Sequence, residues 1–208
     1  MYIAPGIHRD EWLKLRLDNE TGSDWNRAID IFNARIDSRY LEPVDLLIKE
    51  DSKRSPMQRR YGFVILAIDC LLIETLQSFR EGLTDTKRRS KEVFISFLKE
   101  REGFREHFNE KQAEHFFYDF RCGILHQAEV MGSSLLWSVG LLKGKKTDGT
   151  PYINRTKIHE YLKSEVKLYS NELRNPANSK LRRNFRFKMD FIAKKKDMAQ
   201  KSALKKTA

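Results

Sequence analysis

An arginine and a histidine suited to phosphodiester chemistry lie close together in the stretch from Phe117 to Gln127. Arg121 carries a planar guanidinium that can bind a phosphate through two hydrogen bonds and stabilise negative charge on it. His126 follows five residues later. Its unperturbed pKa of about 6.5 would let the imidazole take up or release a proton near neutral pH. Attack of a ribose 2′-hydroxyl on its own phosphodiester would need these functions: a base, an acid and positive charge at the phosphate.

One arginine and one histidine per chain are too few for the complete set of groups. A two-fold dimer that places both motifs in one cleft would supply two of each. In a straight α-helix, residues five apart lie about 140° apart around the axis, so Arg121 and His126 would not share a face. The spacing therefore requires a bend near Gly123, a helix start near Asp119, or an Arg121 that reaches across a dimer interface. We favour the last two.

Glu74 is the second candidate residue, because it lies on a long apolar helix. Three further polar residues continue its stripe: Gln77, Ser78 and Glu81. A carboxylate on a buried helix requires a cation, and Arg121 is the natural partner. On this interpretation Glu74 orients Arg121 or tunes His126. The alternative is that the stripe is the solvent face of the second half of the helix.

Other side chains near the motif give weaker indications of a functional site. His115, Asp119 and His126 could hold a metal ion, but three such residues along one helix are more typical of a solvated face. We therefore expect no metal and no cofactor. Cys122 is expected to be a small packing residue, and Cys70 a core residue of the apolar helix. The sequence contains no glycine-rich phosphate loop and no cysteine pair at zinc spacing.

Helices must position these side chains. Apolar residues recur at steps of three and four along most of the chain, which predicts a bundle of amphipathic helices with short connections. The first predicted helix follows a capping box at Thr21–Asp24 and is broken by Pro43, and a short second helix follows Pro43. A long helix over 61–81 is ended by Gly82. Four more helices are predicted: one capped by Ser90, one that begins at Asn109 and Gln112, one capped by Thr156 and one after Pro176. Asp148 and Gly149 predict a β-hairpin whose strands lie in 134–142 and 151–154.

The motif Arg121-Cys-Gly-Ile-Leu-His126 resembles the Arg-x4–6-His signature of the HEPN superfamily, helical nucleotide-binding domains of many RNA-cleaving toxins and defence proteins. By helix order the resemblance covers roughly residues 20–130, and it implies a mainly α, HEPN-like bundle over 1–131. It also implies a homodimer with a composite site, metal-free cleavage and 2′,3′-cyclic phosphate ends. Beyond residue 131, composition predicts a β-hairpin and basic amphipathic helices that pack on the bundle (132–195), followed by a basic disordered tail (196–208).

Positive charge is concentrated in the last third of the chain. The 208 residues carry a formal net charge of +11, and residues 143–208 hold 19 Lys and Arg against six Asp and Glu. Such a segment is typical of proteins that bind nucleic acid, although a solvated helix face is the alternative. Within 180–188, we predict that five basic side chains contact RNA: Lys180, Arg182, Arg183, Arg186 and Lys188. Phe185 is expected to face the core, whereas Phe187 could stack on a base.

These features together predict an endoribonuclease of a toxin or phage-defence system. RNA, a second copy of the chain and an antitoxin or regulatory protein are the expected partners. Two cysteines and the lack of an apolar leader favour the cytoplasm, and the apolar run 63–73 is too short to cross a bilayer. The main alternative is a non-catalytic nucleic-acid- or protein-binding module of the same fold. A third possibility is a scaffold in which the motif holds a dimer together.

Overall fold

The computed structural model describes residues 1–19 and 21–204, with side chains up to Lys194. It is mainly helical, which confirms the predicted class. The α-helices are α1 (Arg9–Leu13), α2 (Asp24–Ile36), α3 (Glu42–Ser52), α4 (Gly62–Glu81), α5 (Ser90–Glu100), α6 (Glu102–Arg105), α7 (Glu110–His115), α8 (Gly123–Gln127), α9 (Arg155–Arg174) and α10 (Ser179–Leu204). Two stretches are π-helical: Asp37–Leu41 and Phe116–Cys122. The strands are β1 (Tyr2–Ala4), β2 (Ile7–His8), β3 (Leu135–Trp137), β4 (Lys143–Lys145) and β5 (Pro151–Asn154).

Two predicted helix boundaries are confirmed. Helix α4 ends where Gly82 takes a φ of +70°, a conformation that glycine adopts without steric cost. Helix α7 begins with the predicted capping box. Asn109 Oδ1 accepts a hydrogen bond from the amide of Gln112 at 2.9 Å, and Gln112 Oε1 accepts one from the amide of Asn109 at 3.2 Å.

Three other predicted boundaries are wrong in detail. The N-cap of α2 is Ser23, which makes no side-chain capping hydrogen bond, so the box predicted from Thr21 is not formed. In α9 the cap is Asn154, whose Oδ1 accepts a hydrogen bond from the amide of Thr156 at 3.1 Å. Pro43 lies in the first turn of α3, where its missing N–H costs nothing, and a π-helical turn joins α2 to α3 without a break.

Contacts divide the chain into two units, which are described separately. The first combines residues 1–38, 78–85 and 169 onward, and the second combines residues 39–77 and 86–168. The predicted segments 1–131, 132–195 and 196–208 follow the chain in order, and this division stays a prediction. The predicted disordered tail overlaps the end of α10 and includes residues 205–208, which lie outside the described residues. That part of the prediction stays untested.

Aromatic rings form the core of the first unit. Phe32 meets Phe79, Tyr169 and Phe185 edge to face, with ring centroids 5.0, 5.4 and 5.7 Å apart. All four residues are fully buried. Such pairs add roughly 0.5–1.5 kcal/mol each beyond the burial of their area. The expected core position of Phe185 is thereby confirmed, and α10 is fixed to α2.

Helix α4 supplies much of the core of the second unit. An 18-residue window of this helix has a mean hydropathy of 1.7, so its length and composition suit a membrane span, contrary to the expectation from residues 63–73. However, 67% of that window is buried within the protein. Ile65, Leu66, Leu72 and Ile73 are fully buried. The burial pattern is therefore that of a helix surrounded by protein.

The predicted β-hairpin is only partly correct. Strand β5 pairs antiparallel with β4, and the predicted turn residues Asp148 and Gly149 lie between them. The first strand of the hairpin is therefore β4, which follows the apolar run 134–142. That run contains β3, which pairs in parallel with β5 and makes a three-stranded sheet of order β3-β5-β4. A parallel pair needs a crossover connection, and residues 138–150 provide it.

Candidate functional site

The motif lies on a continuous helical segment, Glu110 to Gln127, here named the motif helix. It consists of α7, the π-helical stretch and α8. The predicted helix start near Asp119 is therefore wrong. Hydrogen bonds of a π-helix join residues i and i+5, so its turns are wider and residues five apart lie closer in angle than in an α-helix. The π-helical stretch ends at Cys122, however, and the residues from Gly123 to His126 are α-helical, so the change of helix type does not by itself bring Arg121 and His126 onto one face.

Arg121 and Glu74 form the ion pair that the sequence predicts. Arg121 Nε donates a hydrogen bond to Glu74 Oε1 at 2.8 Å, and the two side chains are 16% and 9% exposed. The other carboxylate oxygen accepts hydrogen bonds from Ser90 Oγ at 2.8 Å and Thr86 Oγ1 at 3.3 Å. The Ser90 hydroxyl therefore holds the carboxylate and does not cap α5. Glu74 is fixed from both sides.

The alternative interpretation of the polar stripe on α4 is wrong. Glu74, Gln77 and Ser78 are all buried, so this stripe is not a solvent face. Gln77 Nε2 donates a hydrogen bond to Glu100 Oε2 at 3.4 Å. Polar residues of the apolar helix therefore face protein partners, and each requires one because its desolvation is costly.

The Arg121 guanidinium is oriented by Glu74, but only one of its three nitrogens donates a hydrogen bond within the described part of the chain. Only Nε bonds to Glu74, and the guanidinium carbon lies 5.4 Å from the centroid of the Phe117 ring. The two terminal nitrogens make no hydrogen bond to any residue in the described part of the chain. Because the side chain also retains some exposure, these nitrogens can reach an anion such as a phosphate.

His126 is exposed near the end of α8 and makes no hydrogen bond or ion pair with any group that the structure describes. Glu74 therefore contacts Arg121 and not His126, so direct tuning of the imidazole by this carboxylate does not occur within one chain. After the histidine the chain turns at Ala128, whose φ is +55°, and returns past Gly123. A Cβ at this position would lie 2.5 Å from the Glu129 carbonyl oxygen, so only glycine allows the returning chain so close.

The remaining candidates of the motif helix do not gather into a metal site. Among the described residues, no group of three or more His, Cys, Asp or Glu side chains could hold a metal ion. His115 and Asp119 instead line a cleft beside β4 and β5. Cys70 is a core residue, as predicted, and burial raises the pKa of its thiol well above the usual value. Cys122 is half-buried.

One member of the predicted RNA-binding set is misplaced. Arg182 is 3% exposed, and its guanidinium carbon lies 3.6 Å from the centroid of the Trp25 ring. It cannot contact a phosphate from this position. The buried face of α10 is wider than its apolar stripe, because the guanidinium stacks on an aromatic ring and joins Phe185 in the core.

The other four residues of the predicted RNA-binding set differ in whether their charged groups already have a partner within the protein. Arg186 Nη1 pairs with Asp18 Oδ1 at 2.6 Å, which raises the pKa of Arg186, and Lys188 donates a hydrogen bond to a backbone carbonyl at 2.9 Å. Lys180 and Arg183 are exposed and have no hydrogen-bond or ion-pair partner in the described part of the chain. Phe187 is 55% exposed. The available surface on α10 is therefore Lys180, Arg183 and Phe187.

Sequence reasoning missed a buried pair of Asp69 on α4 and His159 on α9. Nδ1 of His159 lies 2.8 Å from Asp69 Oδ1, and both side chains are almost fully buried. Nε2 of His159 lies 3.4 Å from Asp45 Oδ1, while Asp45 Oδ2 binds Lys163 at 2.6 Å. A signal was present, because Asp69 interrupts the apolar run and a carboxylate there must have a partner.

Asp69 is expected to make stability depend on pH. Burial raises its pKa from 3.8 to about 6, so between these values the folded protein binds a proton that the unfolded chain releases. The resulting stability is present below about pH 4 and is lost as the pH rises through 6. Relative to Asp69→Asn, which does not titrate, the wild type should lose up to about 3 kcal/mol of unfolding free energy between pH 4 and 7. Urea denaturation of both proteins measures this, and a difference independent of pH would contradict it.

Comparisons with known proteins give no match. No protein-family model, no curated protein and no solved structure is significantly similar to this chain. The resemblance to the HEPN superfamily, which the Arg121–His126 motif carries, therefore stays a prediction. Function has to be inferred from the side chains of the site themselves.

Proposed function

We propose that this protein is a metal-independent endoribonuclease of HEPN type that acts as a homodimer, with Arg121, His126 and Glu74 in its active site. The observation that carries this proposal is the Arg121–Glu74 ion pair. It holds a partly exposed arginine on the motif helix, and the two terminal nitrogens of this arginine make no hydrogen bond within the described part of the chain. A phosphate could accept two parallel hydrogen bonds from these nitrogens.

In this mechanism the imidazole of one His126 takes the proton of the ribose 2′-hydroxyl. The oxygen attacks the phosphorus, the bond to the 5′-oxygen breaks, and the leaving oxygen takes a proton from the imidazolium of the second copy. Arg121 stabilises the negative charge that develops on the phosphoryl oxygens. Glu74 is a positioning residue, since it acts through Arg121. The products are a 2′,3′-cyclic phosphate and a 5′-hydroxyl.

An exposed apolar stripe on α4 supports the homodimer. Val64 and Leu71 are 43% and 44% exposed, and Ile68 between them is half-buried, so three apolar residues follow one another along one side of the helix. Glu74 follows Leu71 by less than one turn. A second copy seated on this stripe would bring its own motif helix close to the first Arg121–Glu74 pair.

Incubation of the purified protein with mixed RNA in EDTA tests the proposal. We expect cleavage in the presence of the chelator, with cyclic phosphate at the new 3′ ends, because the mechanism needs no metal. Mass spectrometry of the fragments identifies the ends. Absence of cleavage, or products with 5′-phosphates, would contradict the proposal.

The dimer is tested by Leu71→Asp, which places a charge in the exposed stripe. We expect this variant to be monomeric and to cleave RNA at least about tenfold more slowly, because a buried unpaired charge costs several kcal/mol. Leu46→Asp is the matched control, since Leu46 is 67% exposed on α3 and lies outside the stripe. Light scattering after gel filtration measures the mass. A monomeric wild type would contradict the dimer, and a dimeric Leu71→Asp variant would contradict the stripe as its interface.

A non-catalytic RNA-binding module is the second candidate function, and the exposed Lys180, Arg183 and Phe187 on α10 favour it. It requires RNA binding that weakens with salt and is reduced by Lys180→Glu and Arg183→Glu, without any cleavage. Participation in a toxin or phage-defence system, with an antitoxin or regulatory protein in the cytoplasm, belongs to the proposal and depends on the cleavage test.

A further inference from the structure

Helix α10 packs one side on the first unit and leaves the opposite side exposed. Phe185, Met189 and Ala193 are fully buried, whereas Phe187 is 55% exposed and Phe191 is half-buried. Residues at intervals of three and four make up the exposed side, here named the outer face of α10: Lys180, Arg183, Phe187, Phe191 and Lys194. This face therefore combines two aromatic rings with three basic groups.

The basic groups of the outer face have no counter-charge within the protein. Lys180, Arg183 and Lys194 are exposed, and none of them has a hydrogen-bond or ion-pair partner in the described part of the chain. Asp190 borders the face, but its Oδ1 accepts a hydrogen bond from Trp12 Nε1 at 2.8 Å. In the sequence, residues 195–208 add five Lys and one Asp. Charge complementarity therefore requires an extended negatively charged partner.

The two phenylalanines require more of that partner than negative charge. Hydrocarbon rings gain free energy when they leave water, and Phe187 and Phe191 lie only one helical turn apart, about 6 Å along the axis. A single flat partner can therefore cover both rings. Single-stranded RNA usually binds in a positively charged groove, whereas these rings project from the outer side of one helix. A surface with an apolar layer beneath its negative charges fits this face better.

We propose that the outer face of α10 docks this protein on a lipid bilayer that contains anionic headgroups. The helix lies parallel to the membrane, with Phe187 and Phe191 at the boundary between headgroups and acyl chains. Lys180, Arg183 and Lys194 lie beside the negatively charged headgroups. No residue of this face belongs to the proposed active site, so the inference goes beyond RNA cleavage.

Flotation of the full chain with lipid vesicles tests the proposal. The two probes are vesicles of phosphatidylcholine alone and vesicles in which about one third of the lipid is phosphatidylglycerol. We expect binding to the anionic vesicles at least about tenfold tighter than to the neutral ones, and most of it should be lost as salt rises from about 0.1 to about 0.5 M. No binding to the anionic vesicles, or equal binding to both kinds, would overturn the proposal.

A charge-reversal pair locates the docking surface. Lys180→Glu combined with Arg183→Glu should weaken binding to the anionic vesicles at least about tenfold, because each basic group near such a surface contributes separately. Lys111→Glu combined with Lys167→Glu is the matched control, since it makes the same charge change at exposed positions of α7 and α9. Equal losses in the two double variants would show attraction by net charge alone and would overturn the assignment to α10.

Insertion of the rings is tested at Phe187. Phe187→Ser should weaken vesicle binding about fivefold, whereas Met57→Ser, at a position that is 78% exposed, should not. Phe187→Trp places an indole in the face, and brominated lipid should quench its fluorescence beyond that of the wild type. The three native tryptophans are present in both proteins, so the difference reports on position 187. Absence of this additional quenching on bound vesicles would overturn the proposal.

An RNA oligonucleotide tests the other polyanion that this face could bind. RNA binding that is weakened by Lys180→Glu with Arg183→Glu, together with no binding to vesicles, would overturn the proposal and favour the second candidate function. Vesicle binding does not involve Arg121 or His126, so His126→Ala should dock like the wild type. Failure of RNA cleavage would therefore leave the docking results unchanged, and the two proposals can fail separately.

Discussion

Replacing His126 by alanine is expected to lower the rate of RNA cleavage by at least about 100-fold, because the reaction loses its proton acceptor and donor. Arg121→Ala should lower it by a similar factor, since the charge that stabilises the transition state is lost. His126 is exposed and has no partner within the described chain, so His126→Ala should leave the melting temperature unchanged. Arg121→Lys keeps the charge but not the planar fork, and we expect only partial activity from it.

The matched controls are Gln127→Ala and Lys111→Ala, both at exposed positions of the motif helix. They should retain wild-type cleavage. Single-turnover rates with excess protein separate the chemical step from binding. Cleavage that survives both His126→Ala and Arg121→Ala would place any active site elsewhere and exclude the proposed mechanism.

Asp51→Ala is expected to destabilise the protein by about 3–5 kcal/mol. Asp51 is 1% exposed and forms an ion pair with Arg155. It also accepts hydrogen bonds from the backbone amides of Arg60 at 2.9 Å and Tyr61 at 3.1 Å, just before α4 begins. Removing the carboxylate leaves a buried guanidinium and two amides without their acceptor. Chemical denaturation measures the loss.

Asp30→Ala is the matched control, because Asp30 is exposed on α2, and it should change stability by less than about 0.5 kcal/mol. The double variant Asp51→Leu with Arg155→Met should be less destabilised than the sum of the two single variants, since it removes both charges together. Additive losses would contradict the view that the pair acts as one buried unit.

Features that depend on neighbouring residues could be predicted from the sequence. Helix α4, its end at Gly82 and the capping box of Asn109 and Gln112 all follow from apolar spacing and from side chains within one turn. The three-stranded sheet could not be predicted, because the pairing of β3 with β5 depends on a crossover. The π-helical stretches were also missed, since the apolar spacing of the motif helix fits an ordinary α-helix.

The site could be predicted where a charged side chain is buried, because a buried charge requires a partner of opposite charge. Glu74 on an apolar helix needs a cation, and Arg121 is that cation. The same reasoning applied to Asp69 would have required a partner, but nothing local identifies His159, 90 residues away. Arg182 was assigned to the surface because arginine is usually exposed, whereas stacking on Trp25 stabilises it in the core.

The division into two units has a consequence for synthesis on the ribosome. All residues of the second unit, including those of the candidate site and the cleft, have been added once residue 168 is in place. The first unit cannot close at that stage, because Phe32 and Phe79 still lack the rings of Tyr169 and Phe185. During translation, the second unit can therefore fold before the first. The N-terminal residues complete their aromatic core only after α10 has been synthesised.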